Sequence, residues 1–208
     1  MTQRVVGLGG TVGLILLLAT ACSPGGGDEA APEARPAGQP IPEPDVVLSA
    51  DQTHARFSAT IDPVARVPSG AVVEVSTMEA SDGQFTPEST LDDVATLDFD
   101  PIHPLTGPVY VEGASPGDVL AVTLLDIEVD DWGWSAIVPG FGYLADRFTE
   151  PYYKAFEIAP GATHTRFNDR ISVPLNPFPG VMAVAPATDS MLSTIPPRAN
   201  GGNMDNRH

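Results

Sequence analysis

The stretch HPLTGPVYVEGASPGDVL, residues 103–120, constrains the fold more than any other part of the chain. Pro104 and Pro108 each favour extended backbone at the residue before them. Residues 109–112 alternate apolar and polar side chains, which is typical of a short strand. The SPGD sequence at residues 115–118 is turn chemistry that leads into a second apolar run. The stretch therefore predicts two short strands separated by tight turns.

The rest of the chain outside its N-terminal region follows the same pattern. Residues 119–125 are apolar at nearly every position and predict a strand covered on both faces. Residues 87–97, with Thr86 as cap, are the one good helix candidate. Further strands are predicted at 54–60, 71–77, 134–138, 152–158, 170–175 and 181–185. With 22 prolines and 20 glycines, the sequence predicts a mainly β body of sandwich or barrel type with one short helix.

The N-terminal residues have the features of an export signal. Arg4 precedes an apolar run at residues 5–19, and small residues then lead to Cys22, which resembles a bacterial lipoprotein cleavage site. The run is short for a membrane helix, which needs about 20 residues. We therefore predict a lipoprotein signal peptide at 1–21, lipidation at Cys22, and a protein outside the cytoplasm, anchored to the bacterial cell membrane. An ordinary secretory signal cut nearby is the alternative.

The residues after Cys22 differ in composition from the rest. Residues 22–45 are rich in proline, glycine and alanine and carry almost no large apolar side chains, so they are predicted to be a disordered tether. Residues 46–208 are long enough for one domain with a substantial core. The predicted organisation is a signal peptide, a tether and one β domain.

Charge and cysteine content exclude several classes of function. The chain has 27 acidic and 10 basic residues and a net charge of -17, which repels the phosphate backbone of nucleic acid. Cys22 is the only cysteine, so the body has no disulfide, thiolate nucleophile or cysteine-ligated metal. Nucleic acid is therefore not expected as a partner.

Residues 103–120 resemble the acetamidase/formamidase family of amide hydrolases, whose members carry a similar PxTGP[VI]xVxGAxPGD segment. Three other segments resemble family segments in the same order: MEASDGQ at 78–84, VPGFG at 138–142 and PRANGGNMD at 197–205. The resemblance implies hydrolysis of short linear amides, of the formamide or acetamide type, with release of ammonia. Family members continue well beyond the last segment, so the chain resembles a C-terminally truncated and incomplete copy.

Amide hydrolysis needs a nucleophile, a base and a group that stabilises the oxyanion. The body has no cysteine, Lys154 is the only lysine, and there is no GxSxG nucleophile elbow. Water activated by carboxylates or by a divalent metal, zinc or calcium, is the remaining route. A small amide is the expected partner, and assembly of identical copies is left open.

The candidate site residues lie in or next to the family-like segments. Glu79 and Asp205 are the catalytic candidates, and together with His103 they are the candidate metal ligands. The candidates for substrate binding are Asn203, Gly202 and Phe141.

Each of these residues also has a structural interpretation. Glu79 and Asp82 can cap a turn, His103 can be a surface residue before a proline, and Asn203 and Asp205 can shape a glycine-rich loop. The alternative function is accordingly a catalytically inactive β-sandwich lipoprotein with a binding or structural role outside the cytoplasm.

Overall fold

The computed structural model describes the backbone of residues 2–7, 10–11, 14–18 and 40–203, and side chains within 40–203. The predictions for Cys22, for most of the tether and for Asp205 fall outside the described residues. The signal-peptide prediction at 1–21 falls partly outside them, and it stays a prediction.

The described chain is mainly β with one short helix, which confirms the predicted fold class. The N-terminal strands are β1 (Thr2–Gly7), β2 (Gly10–Thr11) and β3 (Leu14–Leu18). The next six are β4 (Val46–Leu48), β5 (Thr53–His54), β6 (Arg56–Phe57), β7 (Ala65–Val67), β8 (Val72–Met78) and β9 (Leu105–Thr106). The last nine are β10 (Val109–Val111), β11 (Leu120–Leu124), β12 (Trp132–Ile137), β13 (Tyr152–Glu157), β14 (His164–Arg166), β15 (Ser172–Pro174), β16 (Val181–Ala183), β17 (Leu192–Ser193) and β18 (Gly201–Asn203).

Strand β8 is the centre of the largest sheet. It pairs in parallel with β4 on one side and antiparallel with β1 and β3, and β3 pairs antiparallel with β11. Of the three N-terminal strands, β3 lies between β8 and β11, while β1 pairs with β8 and β2 pairs with β1. Signal-peptide cleavage would remove them, so this pairing describes the chain before any such cleavage.

The other strands form two-stranded pairs, and several of them join distant parts of the sequence. Strand β6 pairs with β17, β5 with β9, β16 with β18, β12 with β13 and β14 with β15, all antiparallel, and β7 pairs with β10 in parallel. The β5–β6 region therefore touches both the 103–120 stretch and the C-terminal part of the described chain.

The core consists of two clusters of buried side chains. The first cluster lies on or next to strands β4, β7, β8 and β10, and its buried residues are Leu48, Val67, Ala71, Val73 and Val111. The second contains Phe85, Val94 and Trp132 and lies under the β12–β13 hairpin. Burial of these apolar surfaces is the main stabilising contribution to each half of the body.

The helix α1 (Leu91–Ala95) is shorter than the predicted 87–97. Thr90 is its N-cap, and the Asp93 carboxylate accepts hydrogen bonds from the Thr90 N–H and hydroxyl. Thr86 does not cap the helix; its hydroxyl accepts the Glu88 N–H within the preceding turn. The helix contributes one buried residue, Val94, to the core.

Strand β11 differs from the prediction that residues 119–125 are buried on both faces. Its side chains are only half-buried, Leu124 is exposed, and Val119 lies outside the strand with 73% of its surface exposed. The physical reason is its place at the end of the sheet, where β3 is its only strand partner among the described residues. No helix in the described residues is long and apolar enough to cross a membrane.

Candidate functional site

Glu79 follows β8 directly and is buried, with 5% of its surface exposed. Its Oε1 accepts hydrogen bonds from the Ser81 hydroxyl and the Gly83 N–H, both at 2.5 Å. Its Oε2 accepts the Ser81 N–H at 2.9 Å and the Trp134 indole N–H at 2.8 Å. A carboxylate has about four lone-pair sites, and these four donors use them. Glu79 thus caps the turn that follows β8, which is the structural alternative considered from the sequence.

The same turn is fixed by Ser81, whose side chain is fully buried. The Ser81 hydroxyl donates to Glu79 and accepts the Phe85 N–H at 2.9 Å. Asp82 sits at the exposed tip with a positive φ of 61°, a conformation uncommon for residues other than glycine. The turn is over-determined by hydrogen bonds, so it holds Asp82 in this conformation.

Aromatic packing anchors the Glu79 turn on the β12–β13 hairpin. The ring of Phe85 meets that of Trp134 edge-on, with centroids 4.6 Å apart, and lies 5.3 Å from that of Tyr153. The Tyr153 hydroxyl donates to the Thr86 carbonyl at 2.6 Å. Burial, followed by the negative charges of Glu79 and two other carboxylates, raises the pKa of Tyr153 to about 12. Tyr153 is therefore a neutral donor at physiological pH.

The segment at residues 98–103 connects the family-like segments to one another. Gln84, the last residue of the 78–84 segment, donates from its side-chain amide to the carbonyls of Ser81 and Asp98, at 2.8 and 2.9 Å. Its amide oxygen accepts the Asp98 N–H at 2.8 Å. The first family-like segment is thus hydrogen-bonded to the start of the 98–103 segment.

The next residues of this segment contact two other regions. The Phe99 ring packs against that of Phe141, in the 138–142 segment, with centroids 5.2 Å apart. The Arg56 guanidinium forms a salt bridge with the Asp100 side chain and donates to the Asp100 carbonyl at 2.7 Å. Phe141 itself is 57% exposed, so it lines the surface and is not part of the core.

His103 ends the segment and opens the 103–120 stretch. Its backbone N–H donates to the Thr194 hydroxyl at 3.0 Å. The Thr194 hydroxyl also faces the carbonyl oxygens of Ile102 and His103 at 3.0 and 3.1 Å, so its single hydrogen has acceptors on both. Thr194 is fully buried and comes directly after β17. His103 itself is half-buried.

Gly201 and Gly202, of the fourth family-like segment, form β18 with Asn203 and lie close to other backbone. A Cβ added to Gly201 would lie 2.6 Å from the Met182 carbonyl oxygen. One added to Gly202 would lie 3.2 Å from the Pro197 Cα and 3.7 Å from the Phe57 ring. Both have positive φ, 100° and 125°, so only glycine fits without strain. Gly202 is buried beside Phe57 of β6, and Asn203 is half-buried.

The described residues do not by themselves fit a metal site. Within residues 40–203, no three His, Cys, Asp or Glu side chains lie close enough to share an ion. The oxygens of Glu79 are occupied by protein donors, and a metal there would have to displace at least one of them. Asp205, the other carboxylate expected as a ligand, lies outside the described residues. The zinc or calcium site stays a prediction.

Thr194, Arg56 and the 98–103 segment were not identified from the sequence. Their roles depend on contacts across 91 residues for Thr194 and His103 and 44 for Arg56 and Asp100. A buried threonine has no local signature, since its hydroxyl bonds to backbone that is near only in the fold. The one feature of the sequence that could have drawn attention to Thr194 is its position just before the PRANGGNMD segment at residues 197–205.

Comparison with known proteins identifies the family. The sequence model of the Acetamidase/Formamidase family matches residues 43–193, which is most of the chain. The chain belongs to the acetamidase/formamidase family. The matched region contains the segments at 78–84, 103–120 and 138–142, and it ends before the segment at 197–205.

Individual members of the acetamidase/formamidase family agree with this assignment. The chain is 30% identical to an acetamidase of Mycolicibacterium smegmatis over 169 residues, 70% of this chain and 42% of that protein. It is 28% identical to a formamidase of Methylophilus methylotrophus over 144 residues, 66% of this chain and 35% of that protein. The chain therefore spans less than half the length of these relatives.

Solved structures of the family show the same fold. A predicted acetamidase/formamidase from Thermoanaerobacter tengcongensis superimposes with a TM-score of 0.69 at 36% identity, over 77% of this chain and 52% of that chain. An acetamidase from Bacillus halodurans gives 0.69 at 32% identity, over 76% and 52%. The body described above is thus similar to about half of an acetamidase chain.

Proposed function

We propose that this chain takes part in hydrolysing a short linear amide, of the formamide or acetamide type, to a carboxylate and ammonia. One observation carries the proposal: the segment at 98–103 contacts the 78–84 and 138–142 segments and runs into the 103–120 stretch. Thr194 links His103 to the stretch that continues into Gly202 and Asn203. Segments far apart in sequence thus contact successive residues of one short stretch, which supports a site built on several elements.

The proposed reaction adds water to the amide carbonyl carbon and then breaks the C–N bond. His103 and Asp205 are the groups proposed to take the proton from the water and deliver a proton to the leaving nitrogen. The side chain of Asn203 and the close-packed backbone at Gly202 are proposed to hold the substrate. The N–H of the Asn203 side-chain amide can then donate to the developing oxyanion. Phe141 is proposed as an apolar wall.

The contacts of Glu79 favour a structural role for it in place of the catalytic role expected from the sequence. All its lone pairs accept hydrogen bonds from protein donors, so it is poorly placed to activate water. We assign it the task of holding the 79–85 turn against Trp134, and through Gln84 against Asp98. Water activation is left to His103 and Asp205.

The experiment is ammonia release from formamide and acetamide by the purified chain, in metal-free buffer and with added zinc or calcium. His103→Gln should abolish most of the release, and the matched control is His164→Gln, since His164 is an exposed histidine. No ammonia above background under any of these conditions would reject the hydrolase proposal.

The second candidate function is an inactive binding or structural lipoprotein. One finding favours it: both oxygens of the buried Glu79 carboxylate are engaged by protein donors. Under this alternative the purified chain would bind formamide or acetamide, seen as saturable chemical-shift changes, without releasing ammonia. Ammonia release above background that His103→Gln removes would reject the alternative.

A further inference from the structure

We infer that Thr194 is a positioning residue that fixes the backbone at His103 and thereby the direction of the His103 imidazole. The inference rests on the proposed function, because it matters for catalysis only if His103 takes part in the reaction. Its structural half, that the Thr194 hydroxyl sets the conformation at His103, is independent of any activity.

The contacts of the hydroxyl are concentrated on two residues. Thr194 Oγ1 accepts the His103 N–H at 3.0 Å and lies 3.0 and 3.1 Å from the carbonyl oxygens of Ile102 and His103. It lies 3.4 Å from the Ala55 carbonyl oxygen, on the neighbouring strand region. One side chain thus touches the backbone on both sides of the Cα that carries the imidazole.

Burial makes these contacts strong constraints. Thr194 is fully buried and Ile102 is 7% exposed, so water does not compete for the Thr194 hydroxyl or for its contact with the Ile102 carbonyl. A buried polar group that loses its partner keeps its full desolvation cost, so the backbone would shift to find another partner. Such a shift would rotate the Cα–Cβ bond of His103 and move the imidazole.

The strand register explains why the contact exists. Strand β17 pairs with β6, with Ser193 opposite Arg56, which places Thr194 beside Ala55. Strand β5 pairs with β9, with His54 opposite Leu105, which brings residues 102–103 close to the same segment. Thr194 and the start of the 103–120 stretch therefore meet beside residues 54–56.

The test compares three variants of Thr194 with a matched pair at another threonine. Thr194→Val replaces the hydroxyl by a methyl group of similar volume. Thr194→Ser keeps the hydroxyl and loses the methyl group, and Thr194→Ala loses both. Thr165 is also buried, and its hydroxyl donates to the Glu157 carbonyl at 2.8 Å, away from His103. Thr165→Val and Thr165→Ser are the controls for losing any buried hydroxyl.

The first readout is the set of imidazole NMR signals of His103, assigned by their loss in His103→Gln. We expect them to shift or split in Thr194→Val and Thr194→Ala, and to stay at the wild-type positions in Thr194→Ser and in both Thr165 variants. Should Thr194→Val fail to fold, Thr194→Ala gives the same comparison. Unchanged His103 signals in a folded variant without the hydroxyl would overturn the inference, as would a Thr194→Ser variant that behaves like Thr194→Val.

The second readout is the kinetics of amide hydrolysis by the same variants. Misplacement of a catalytic group lowers turnover on the order of 10²-fold, and here the loss should be in kcat with little change in KM. Thr194→Ser should restore kcat to within about 3-fold of wild type. A wild-type chain without activity would reject the proposed function, and the NMR result alone would then decide the positioning role of Thr194. A kcat loss of the same size in Thr165→Val would overturn the positioning role.

Discussion

The indole N–H of Trp134 donates a hydrogen bond of 2.8 Å to Oε2 of Glu79, which lies 55 residues earlier in the chain. The bond ties the turn after β8 to the β12–β13 hairpin. It also completes the set of four donors around a buried carboxylate. The side chain that the sequence indicates as catalytic is thus part of the internal framework.

Replacing Glu79 should therefore affect stability before chemistry. Glu79→Gln puts an NH₂ group against donors and loses charge-assisted bonds, so the free energy of unfolding should fall by about 2 kcal/mol or more. Trp134→Phe removes one donor and should cost about 1–2 kcal/mol. Urea unfolding of the two variants and of the double mutant measures the coupling, with Glu112→Gln, at an exposed glutamate, as control. A stable Glu79→Gln variant would contradict the framework role.

The glycines of β18 give a second stability prediction. Gly201→Ala places a methyl group 2.6 Å from the Met182 carbonyl oxygen at a φ of 100°, so we expect a loss of about 1–3 kcal/mol, measured by thermal or urea unfolding. Gly117→Ala is the matched control, because Gly117 has a φ of 104° and an added Cβ there meets nothing within 4 Å. Equal effects of the two substitutions would show that close backbone approach at Gly201 is not what requires glycine.

The half-buried His54 should make the free energy of unfolding depend on pH. Burial lowers its pKa below the ordinary 6.5, and the hydrogen bond from its Nδ1 to the Arg56 carbonyl opposes that shift. Between the folded and unfolded pKa values the unfolded chain binds more protons, so stability rises with pH there and its full value is reached above about 6.5. The difference in unfolding free energy between wild type and His54→Gln should therefore change with pH below about 6.5. A constant difference from pH 5 to 7 would contradict this role of His54.

The proposed role of Asp205 in proton transfer can be tested by substitution. If it exchanges protons with the water or the leaving nitrogen, Asp205→Asn should lower the rate of ammonia release by about 10²-fold or more, with a small change in stability. Asp189→Asn, at another aspartate of the C-terminal region, is the control. Full activity of Asp205→Asn would remove Asp205 from the proposed site.

The lipid anchor is tested at Cys22. Cys22→Ser should move the protein from the membrane fraction to the soluble fraction, because serine lacks the sulfur through which the lipid is attached and no acyl chain remains to hold the protein in the bilayer. Fractionation of cells that express each form, followed by detection of the β body, measures this. Membrane retention of the serine form would reject anchoring through Cys22.

The sequence alone determined the family and the class of fold. Four ordered segments carried the resemblance, and short strands between prolines and glycines predicted a mainly β body, because turn residues and strand periodicity are local properties of the chain. Local signals also located the helix, although its start moved to Leu91 because Asp93 bonds to Thr90 and not to Thr86.

Only the tertiary structure decided which side chains meet. The bond from Trp134 to Glu79, the link from Gln84 to Asp98 and the contact of Thr194 with His103 join residues 14 to 91 positions apart and leave no pattern in the sequence. Strand β11 shows the same limit, because its composition indicated burial while its place at the end of a sheet left it half-exposed. Hydrophobic pattern records what a side chain can bury, whereas burial itself depends on which neighbours the fold brings to it.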